Sequence, residues 1–190
     1  MGAVSEGPTR MDDRRIWIAL LIFGSTVLSF AVNRFLSPTE RPTLRSVNRI
    51  PDSTVWSFIQ KQAAEHGLDP KFVYALAWAE SSLNANAKNG RARGIMQVTE
   101  PTWYDMTDLP FEMAWDYQTN IGVALDYLVF CKGLLLRNDA YSLPLLAASY
   151  RYGPTEVRQK KYKINRLDRP ENEIYRRIFD GEVHPVEPPI

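Results

Sequence analysis

The chain has 190 residues, of which 45% are hydrophobic, and its 23 Lys and Arg nearly balance its 22 Asp and Glu. This length predicts one ordinary domain with extra segments, because single domains are commonly about 100–200 residues long. The near-neutral charge excludes an overall basic field that would attract nucleic acid, and it excludes the acidic excess of many disordered chains. Any selectively bound partner is therefore expected to be recognised by a local site and not by the overall charge.

The N-terminal part of the chain predicts a membrane segment. Residues 1–15 are polar, and residues 16–32 are apolar apart from one glycine and three hydroxyl residues. As a helix, residues 16–32 rise roughly 25 Å, slightly less than a hydrocarbon core of about 30 Å. We predict a transmembrane signal-anchor with its N-terminus inside. A cleaved signal peptide is the open alternative, because Ser29-Phe30-Ala31 is a small-x-small sequence.

Residues 33–51 predict an extended linker, since they contain Pro38, Pro42 and Pro51 and show no apolar periodicity. At roughly 3 Å per residue, such a segment could hold a domain about 50 Å from a membrane. That reach suits a target that lies next to a membrane.

Residues 52–180 predict a mainly α domain, and residues 181–190 follow as a tail. Apolar residues recur at helical spacing, and alternation with period two is hardly seen. Capping residues and first-turn prolines mark the expected helix starts. These are Asp52 or Ser53, Asp69 with Pro70, Thr99 with Pro101, Asp116, Ser142 with Pro144, Thr155, and the residues after Pro170. A polar loop is predicted from Asn84 to Gly94.

Cysteine and histidine offer little chemistry. The single Cys131 lies in an apolar run and predicts a buried packing thiol. His66 and His184 are far apart in sequence, without a cluster of Cys or Asp around them. Neither a zinc site nor another metal or cofactor is therefore expected.

Glu80 is the first candidate for catalysis. It comes at the C-terminal end of a strongly apolar predicted helix, where the macrodipole disfavours negative charge, and Leu76, Ala77 and Leu83 are its helical neighbours. Both effects raise a carboxyl pKa toward a group that is protonated near neutral pH and can donate. By position alone, a half-exposed or ion-paired carboxylate is the commoner interpretation, so the functional one needs further support.

Ordered motifs supply that support. They are Glu80-Ser81-Ser82, Gly94-Ile95-Met96-Gln97, Pro101-x-Trp103, Asn120-Ile121, Tyr127-Leu128, Ala148–Pro154 and Pro170–Tyr175. Together they resemble the signatures of soluble-type lytic transglycosylases, relatives of goose-type lysozyme in a glycoside hydrolase family 23-like group. The resemblance covers about residues 55–178. It implies a lysozyme-like helical domain that acts on the glycan strands of peptidoglycan.

By this resemblance, Glu80 is a lone catalytic acid/base. It would protonate the β-1,4 glycosidic oxygen between N-acetylmuramic acid and N-acetylglucosamine, then accept the proton of the muramyl 6-hydroxyl as that oxygen attacks C1. The product is a 1,6-anhydromuramyl end. Ordinary glycosidases pair two carboxylates, whereas substrate assistance by the 2-acetamido group removes the need for the second. The open alternatives are a hydrolytic lysozyme and a catalytically weak peptidoglycan-binding assembly factor of an envelope-spanning machine.

The resemblance also implies a set of substrate-binding residues. They are Ser81, Gly94, Met96, Gln97, Tyr150, Arg151 and Tyr175. Gln97 would hydrogen-bond an acetamido group, Met96 would pack on a sugar ring face, and Gly94 would let the backbone approach the sugar.

The remaining residues of this set lie near the predicted acid. Tyr150 and Tyr175 would surround the developing oxocarbenium ion, while Ser81 would either steady Glu80 or cap the helix. Arg151 departs from the family pattern, which usually has Asn there, and replaces an amide by a permanent cation. The cation could bind a muramyl lactate or a peptide carboxylate.

Together, the membrane segment and the resemblance predict a location. We expect a single-pass inner-membrane protein anchored through residues 16–32, with its catalytic domain in the periplasm. Cleavage of that segment would instead release a periplasmic protein. The expected partner is peptidoglycan, with an envelope-spanning assembly as an open alternative and no nucleic acid.

Overall fold

Seven α-helices, three two-residue strands and two 3-10 segments make up the part of the chain that the structure describes, residues 49–190 of a computed structural model. The helices are α1 (Asp52–Glu65), α2 (Pro70–Ser81), α3 (Glu100–Met106), α4 (Tyr117–Arg137), α5 (Leu143–Tyr152), α6 (Pro154–Gln159) and α7 (Glu173–Phe179). The strands are β1 (Lys88–Asn89), β2 (Ala92–Arg93) and β3 (Val98–Thr99), and the 3-10 segments are Phe111–Trp115 and Ile164–Arg166. The mainly helical prediction is confirmed, while the predicted segments 1–15 and 16–32 lie outside the described residues.

Most helices begin at the capping residues that the sequence predicts. The Asp69 carboxylate accepts hydrogen bonds from the amides of Lys71 and Phe72, at 2.9 and 3.3 Å, and Pro70 occupies the first helical position. The same kind of side-chain bond caps four further helices, at Thr99, Asp116, Ser142 and Asn172. Local capping chemistry therefore fixes where these helices start.

Two predicted helix starts need correction. Pro51 occupies the N-cap of α1 without a side-chain bond, and Asp52 is already helical in the first turn, where the macrodipole favours a carboxylate. The helix α6 starts at Pro154 and not at Thr155, since Gly153 occupies its N-cap. The shift is one residue for α6 and one or two residues for α1.

The long helix α4 forms the middle of the hydrophobic core. It packs against α1, α3 and α5, whereas α2 packs against α1 and α7. Its buried residues are Asn120, Ile121, Val123, Ala124, Leu125, Leu128, Cys131 and Leu135. The prediction of a buried Cys131 is confirmed, and burial raises the pKa of this thiol to about 12. Among the residues that the structure describes, α4 is also the one helix long and apolar enough to cross a membrane.

A small antiparallel sheet lies within and just after the predicted polar loop. Its strands pair in the order β1-β2-β3, and residues 94–97 connect β2 to β3. Each strand has only two residues, which is too short for alternation with period two to appear in the sequence. The sheet nevertheless matters for the site, because it fixes both ends of residues 94–97.

The C-terminal tail folds back onto the start of α2. Arg177 forms an ion pair with Glu182 and donates from Nη1 to the Pro185 carbonyl at 2.8 Å. His184 Nε2 lies 2.5 Å from a carboxylate oxygen of Asp69, the residue that caps α2. These contacts attach residues 181–190 to the folded domain.

Candidate active site

Glu80 lies in the last turn of α2, and its carboxylate is bound by a residue of α7. The Tyr175 hydroxyl donates a hydrogen bond to Glu80 Oε1. Asn172 joins the same two helices, because its Nδ2 donates to the Ala79 carbonyl at 3.1 Å while its Oδ1 accepts from the Tyr175 amide at 3.2 Å. The last turn of α2 is therefore held to α7 through both Tyr175 and Asn172. No local sequence pattern indicates this role of Asn172.

The surroundings of Glu80 favour its protonated form. Burial raises the pKa of this carboxyl to about 6, although the Tyr175 hydrogen bond and the Arg151 charge act in the opposite direction. The predicted upward direction is thus confirmed. Within residues 49–190, no second carboxylate contributes to this pKa, and no group of three or more His, Cys, Asp or Glu could hold a metal ion.

Ser81 links the end of α2 to residues 94–97. Its Oγ donates to the Ile95 carbonyl at 2.6 Å and accepts from the Asn84 amide at 3.0 Å. Ser82 then adopts a left-handed conformation, with φ of 53°, and ends the helix. Ser81 therefore positions residues 94–97 and makes no hydrogen bond to Glu80 within the described part of the chain.

Asn120 supports residues 94–97 from the core. It is a fully buried polar residue, and its Oδ1 accepts from the Met96 amide at 2.8 Å while Nδ2 donates to the Arg93 carbonyl at 3.0 Å. Gly94 packs against the same side chain. It has φ of 79°, and an added Cβ would lie 2.2 Å from the Ala114 carbonyl oxygen and 2.5 Å from Asn120 Nδ2. Packing inside the domain thus requires glycine at this position. The prediction had given another reason, the approach of a sugar to the backbone.

Met96 is buried, whereas its neighbour Gln97 is partly exposed. The Met96 side chain is fully buried in the core, so the structure does not offer it to a sugar ring, and the predicted contact needs this correction. Its carbonyl instead accepts from the Tyr150 hydroxyl at 2.7 Å. Gln97 is partly exposed, and its Nε2 donates to the carbonyls of Ala87 and Gly94 at 2.9 and 2.8 Å. Because both amide hydrogens are used, Oε1 is the atom able to accept from a ligand.

Two tyrosines and one arginine surround Glu80 on the side of α5 and α7. Burial raises the pKa of both Tyr150 and Tyr175 well above 10, so the hydroxyls stay protonated and act as donors. The exposed Arg151 guanidinium carbon lies 4.7 Å from the centroid of the Tyr175 ring. The structure thus brings together four of the predicted residues, while Ser81, Gly94 and Gln97 build the adjacent segment.

A cleft of about 530 Å³ borders the same end of α2. Its lining residues are Arg49, Ile50, Ser81, Ser82, Leu83, Asn84, Ala85, Asn86, Trp115, Asp116 and Tyr117. Glu80 is absent from this lining, although the adjacent Ser81 belongs to it. The geometry around the carboxylate therefore identifies the candidate site better than this cleft does.

The comparison with known protein families concerns the domain that contains this site. The family model for the transglycosylase SLT domain matches residues 57–172, more than half of the chain. The match includes Glu80, residues 94–97, Tyr150 and Arg151, and Tyr175 follows three residues after it. No curated protein matches the chain. The family resemblance noted in the sequence is thus confirmed.

Proposed function

Since the chain belongs to the transglycosylase SLT domain family, whose function is of the lytic transglycosylase type on peptidoglycan, we propose that Glu80 is its single catalytic acid/base. The bond that we propose it cleaves is the β-1,4 linkage between N-acetylmuramic acid and N-acetylglucosamine. The observation that carries this proposal is one carboxyl with a pKa raised to about 6, bound by Tyr175.

In the first step, protonated Glu80 donates its proton to the glycosidic oxygen. The bond between C1 of the muramyl residue and that oxygen breaks, and N-acetylglucosamine leaves with a free 4-hydroxyl. With a pKa of about 6, about a tenth of the carboxyls are protonated at pH 7 and about half at pH 6. Burial therefore supplies an acid that an exposed glutamate would not provide at these pH values.

In the second step, the same carboxylate acts as a base. It accepts the proton of the muramyl 6-hydroxyl as O6 attacks C1, which closes the 1,6-anhydro ring and returns Glu80 to its acid form. No water is consumed, and the 2-acetamido group of the substrate assists at C1. The Tyr175 hydrogen bond stabilises the carboxylate between the two steps, which keeps the pKa in a range useful for both roles.

The residues of segment 94–97 are proposed to hold the sugar. The Gln97 Oε1 would accept from an acetamido N–H, because its Nε2 is already bound to two carbonyls. Ser81 and Asn120 would keep this segment in register with Glu80 through their bonds to Ile95 and Met96. Binding would thus need little rearrangement of the loop.

For the location, we propose a single-pass inner-membrane protein with its domain in the periplasm, or a secreted one if residues 16–32 are removed. The apolar sequence of residues 16–32 and a peptidoglycan substrate support this placement. Membrane fractionation and protease digestion of spheroplasts test it. A domain that remains protected from protease until the inner membrane is broken would contradict the placement.

Digestion of purified sacculi with mass analysis of the products tests the activity. We expect soluble muropeptides with 1,6-anhydromuramyl ends, each lighter by one water than a product with a reducing end. Reducing ends would instead identify a hydrolytic lysozyme. Retention on sacculi without release of muropeptides would identify a peptidoglycan-binding assembly factor, an alternative that Arg151 at a usual Asn position keeps open.

A further inference from the structure

Arg151 is a cation whose charge lowers the pKa of Glu80 without forming an ion pair with it in the described residues. Within residues 49–190 it makes no hydrogen bond and no ion pair, and its side chain is exposed. Its contacts are with aromatic rings, the centroids of Tyr152 and Tyr175 lying 5.6 and 4.7 Å from the guanidinium carbon. A guanidinium has five N–H donors in a planar fork. These donors are available to a ligand.

The position of this cation connects it to the acid. Tyr175 lies between the two groups, since its ring faces Arg151 while its hydroxyl donates to Glu80 Oε1. Arg151 also follows Tyr150 in the last turn of α5, and the Tyr150 hydroxyl holds residues 94–97 through the Met96 carbonyl. A sugar whose glycosidic oxygen reaches Glu80 therefore places its substituents near the guanidinium.

The chain around Arg151 adds to the positive charge. Residues 151–169 contain seven Lys or Arg against two Asp or Glu, a net charge of +5 in a chain whose total is +1. The Tyr152 hydroxyl donates to the Asp168 carbonyl at 2.9 Å, which folds this basic segment back to the end of α5. Clustered charge of one sign raises the local concentration of ligands of the opposite sign.

We propose that Arg151 binds a carboxylate of the substrate next to the scissile bond, and that it gives the enzyme a preference for carboxylate-bearing glycan over neutral glycan. This inference rests on the proposed function. The planar guanidinium can donate two parallel hydrogen bonds to a carboxylate and form an ion pair with it. A neutral amide side chain cannot form that ion pair. In peptide-free strands the carboxylate is that of the muramyl lactyl group, and in peptide-bearing strands it belongs to the stem peptide.

The experiment compares four substrates. Peptide-free and peptide-bearing glycan strands are each used untreated and after conversion of their carboxyl groups to methylamides. We expect the protein to cleave an untreated form with a kcat/KM about tenfold above that of its methylamide, the size expected for one charged hydrogen-bonded pair. If peptide-free strands show this ratio, the bound carboxylate is that of the lactyl group. If peptide-bearing strands show it, the carboxylate belongs to the stem peptide.

The variants are Arg151→Asn, Arg151→Lys and the control Arg137→Asn. We expect Arg151→Asn to bring the ratio to about one and Arg151→Lys to keep part of it, because lysine retains the charge without the fork. Arg137 is exposed at the far end of α4, 17 residues and roughly 25 Å from Asn120. The control removes the same charge and should keep the wild-type ratio.

The ratio separates substrate binding from an effect on Glu80. A change in the acidity of Glu80 changes the cleavage of the untreated substrate and of its methylamide by the same factor, so their ratio stays the same. A general loss of folded protein also leaves this ratio unchanged. A wild-type ratio of one for both strand types, or an unchanged ratio in Arg151→Asn, would overturn the inference and leave the proposed function standing. Failure of the wild-type protein to cleave any of the four substrates would instead remove the proposed function, and the inference with it.

Discussion

The Tyr175 hydroxyl donates to the Glu80 carboxylate across 95 residues of sequence, from a helix near the end of the chain to one near the start of the domain. Tyr175 is fully buried, so its ring cannot act as a flexible surface group. Its hydroxyl holds the carboxylate and opposes the effect of burial on the carboxyl pKa. Packing of α2 against α7 therefore sets both the position and the acidity of the proposed catalytic group.

Replacement of Glu80 by Gln should remove glycan cleavage and keep the fold. A general acid/base typically contributes about 100- to 10,000-fold to rate, and within residues 49–190 no second carboxylate contributes to the pKa of Glu80. We therefore expect kcat to fall by about 1,000-fold, measured as muropeptide release from sacculi. Glu100→Gln, which alters an exposed carboxylate on α3, is the matched control. Near-normal turnover by Glu80→Gln would reject the assignment.

Replacement of Tyr175 by Phe should change the pH dependence of cleavage. The ring is kept, but the hydrogen bond that lowers the pKa of Glu80 is lost, so this pKa should rise above its present value of about 6. The pH at which acid-dependent activity is half lost should move upward. A pH profile of kcat/KM checks this, with Tyr162→Phe as a control on a partly buried tyrosine of the basic segment. A profile that falls in height without moving would show that Tyr175 only supports the fold.

The pH dependence of the domain's stability should also reflect the raised pKa of Glu80. The folded pKa of Glu80 is raised from 4.5 to about 6, so its contribution is fully present below pH 4.5 and is lost as the pH rises through 6. Relative to Glu80→Gln, the wild-type protein should lose about 2 kcal/mol of unfolding free energy between pH 4 and pH 7.5. Urea unfolding of both proteins at the two pH values measures it. A constant difference between them would contradict the raised pKa.

The sequence predicts those features that depend on local chemistry. The starts of α2, α3, α4 and α5 follow from capping residues and prolines, and the apolar faces follow from helical spacing. The raised pKa of Glu80 also follows from its place at a helix end with apolar neighbours. Each of these signals lies within a few residues of the feature that it predicts.

Features that depend on distant partners are not predictable from the local sequence. The burial of Met96 and the bonds of Asn120 and Asn172 are set by packing between elements, and nothing near these residues in the sequence indicates it. Arg151 was recognisable as unusual, yet its contact with the Tyr175 ring comes from the packing of α5 against α7. The residues that shape the site thus come largely from tertiary contacts.

Replacement of Gly94 by Ala should destabilise the domain strongly. The new Cβ would lie 2.2 Å from a backbone oxygen at φ of 79°, so both steric overlap and backbone strain oppose it. We expect a loss of about 3 kcal/mol or more in unfolding free energy, measured by urea denaturation. Gly90→Ala provides the control, because φ is 57° there but nothing lies within 4 Å of the added atom. Strain alone should cost that variant about 1 kcal/mol, and equal losses in both variants would show that the close packing is unimportant.

Replacement of Asn120 by Ala should loosen residues 94–97 from the core. The Met96 amide and the Arg93 carbonyl would lose their buried partner, so we expect a loss of about 3 kcal/mol in unfolding free energy. Asn138→Ala is the control at the C-terminal cap of the same helix, since its bond to the Leu134 carbonyl is exposed and water can replace it. Cleavage should become slower in Asn120→Ala while the pH of half-activity stays unchanged, because Glu80 keeps its Tyr175 partner. Equal stability of the two variants, or a shifted pH profile in Asn120→Ala, would show that Asn120 does not act through this segment alone.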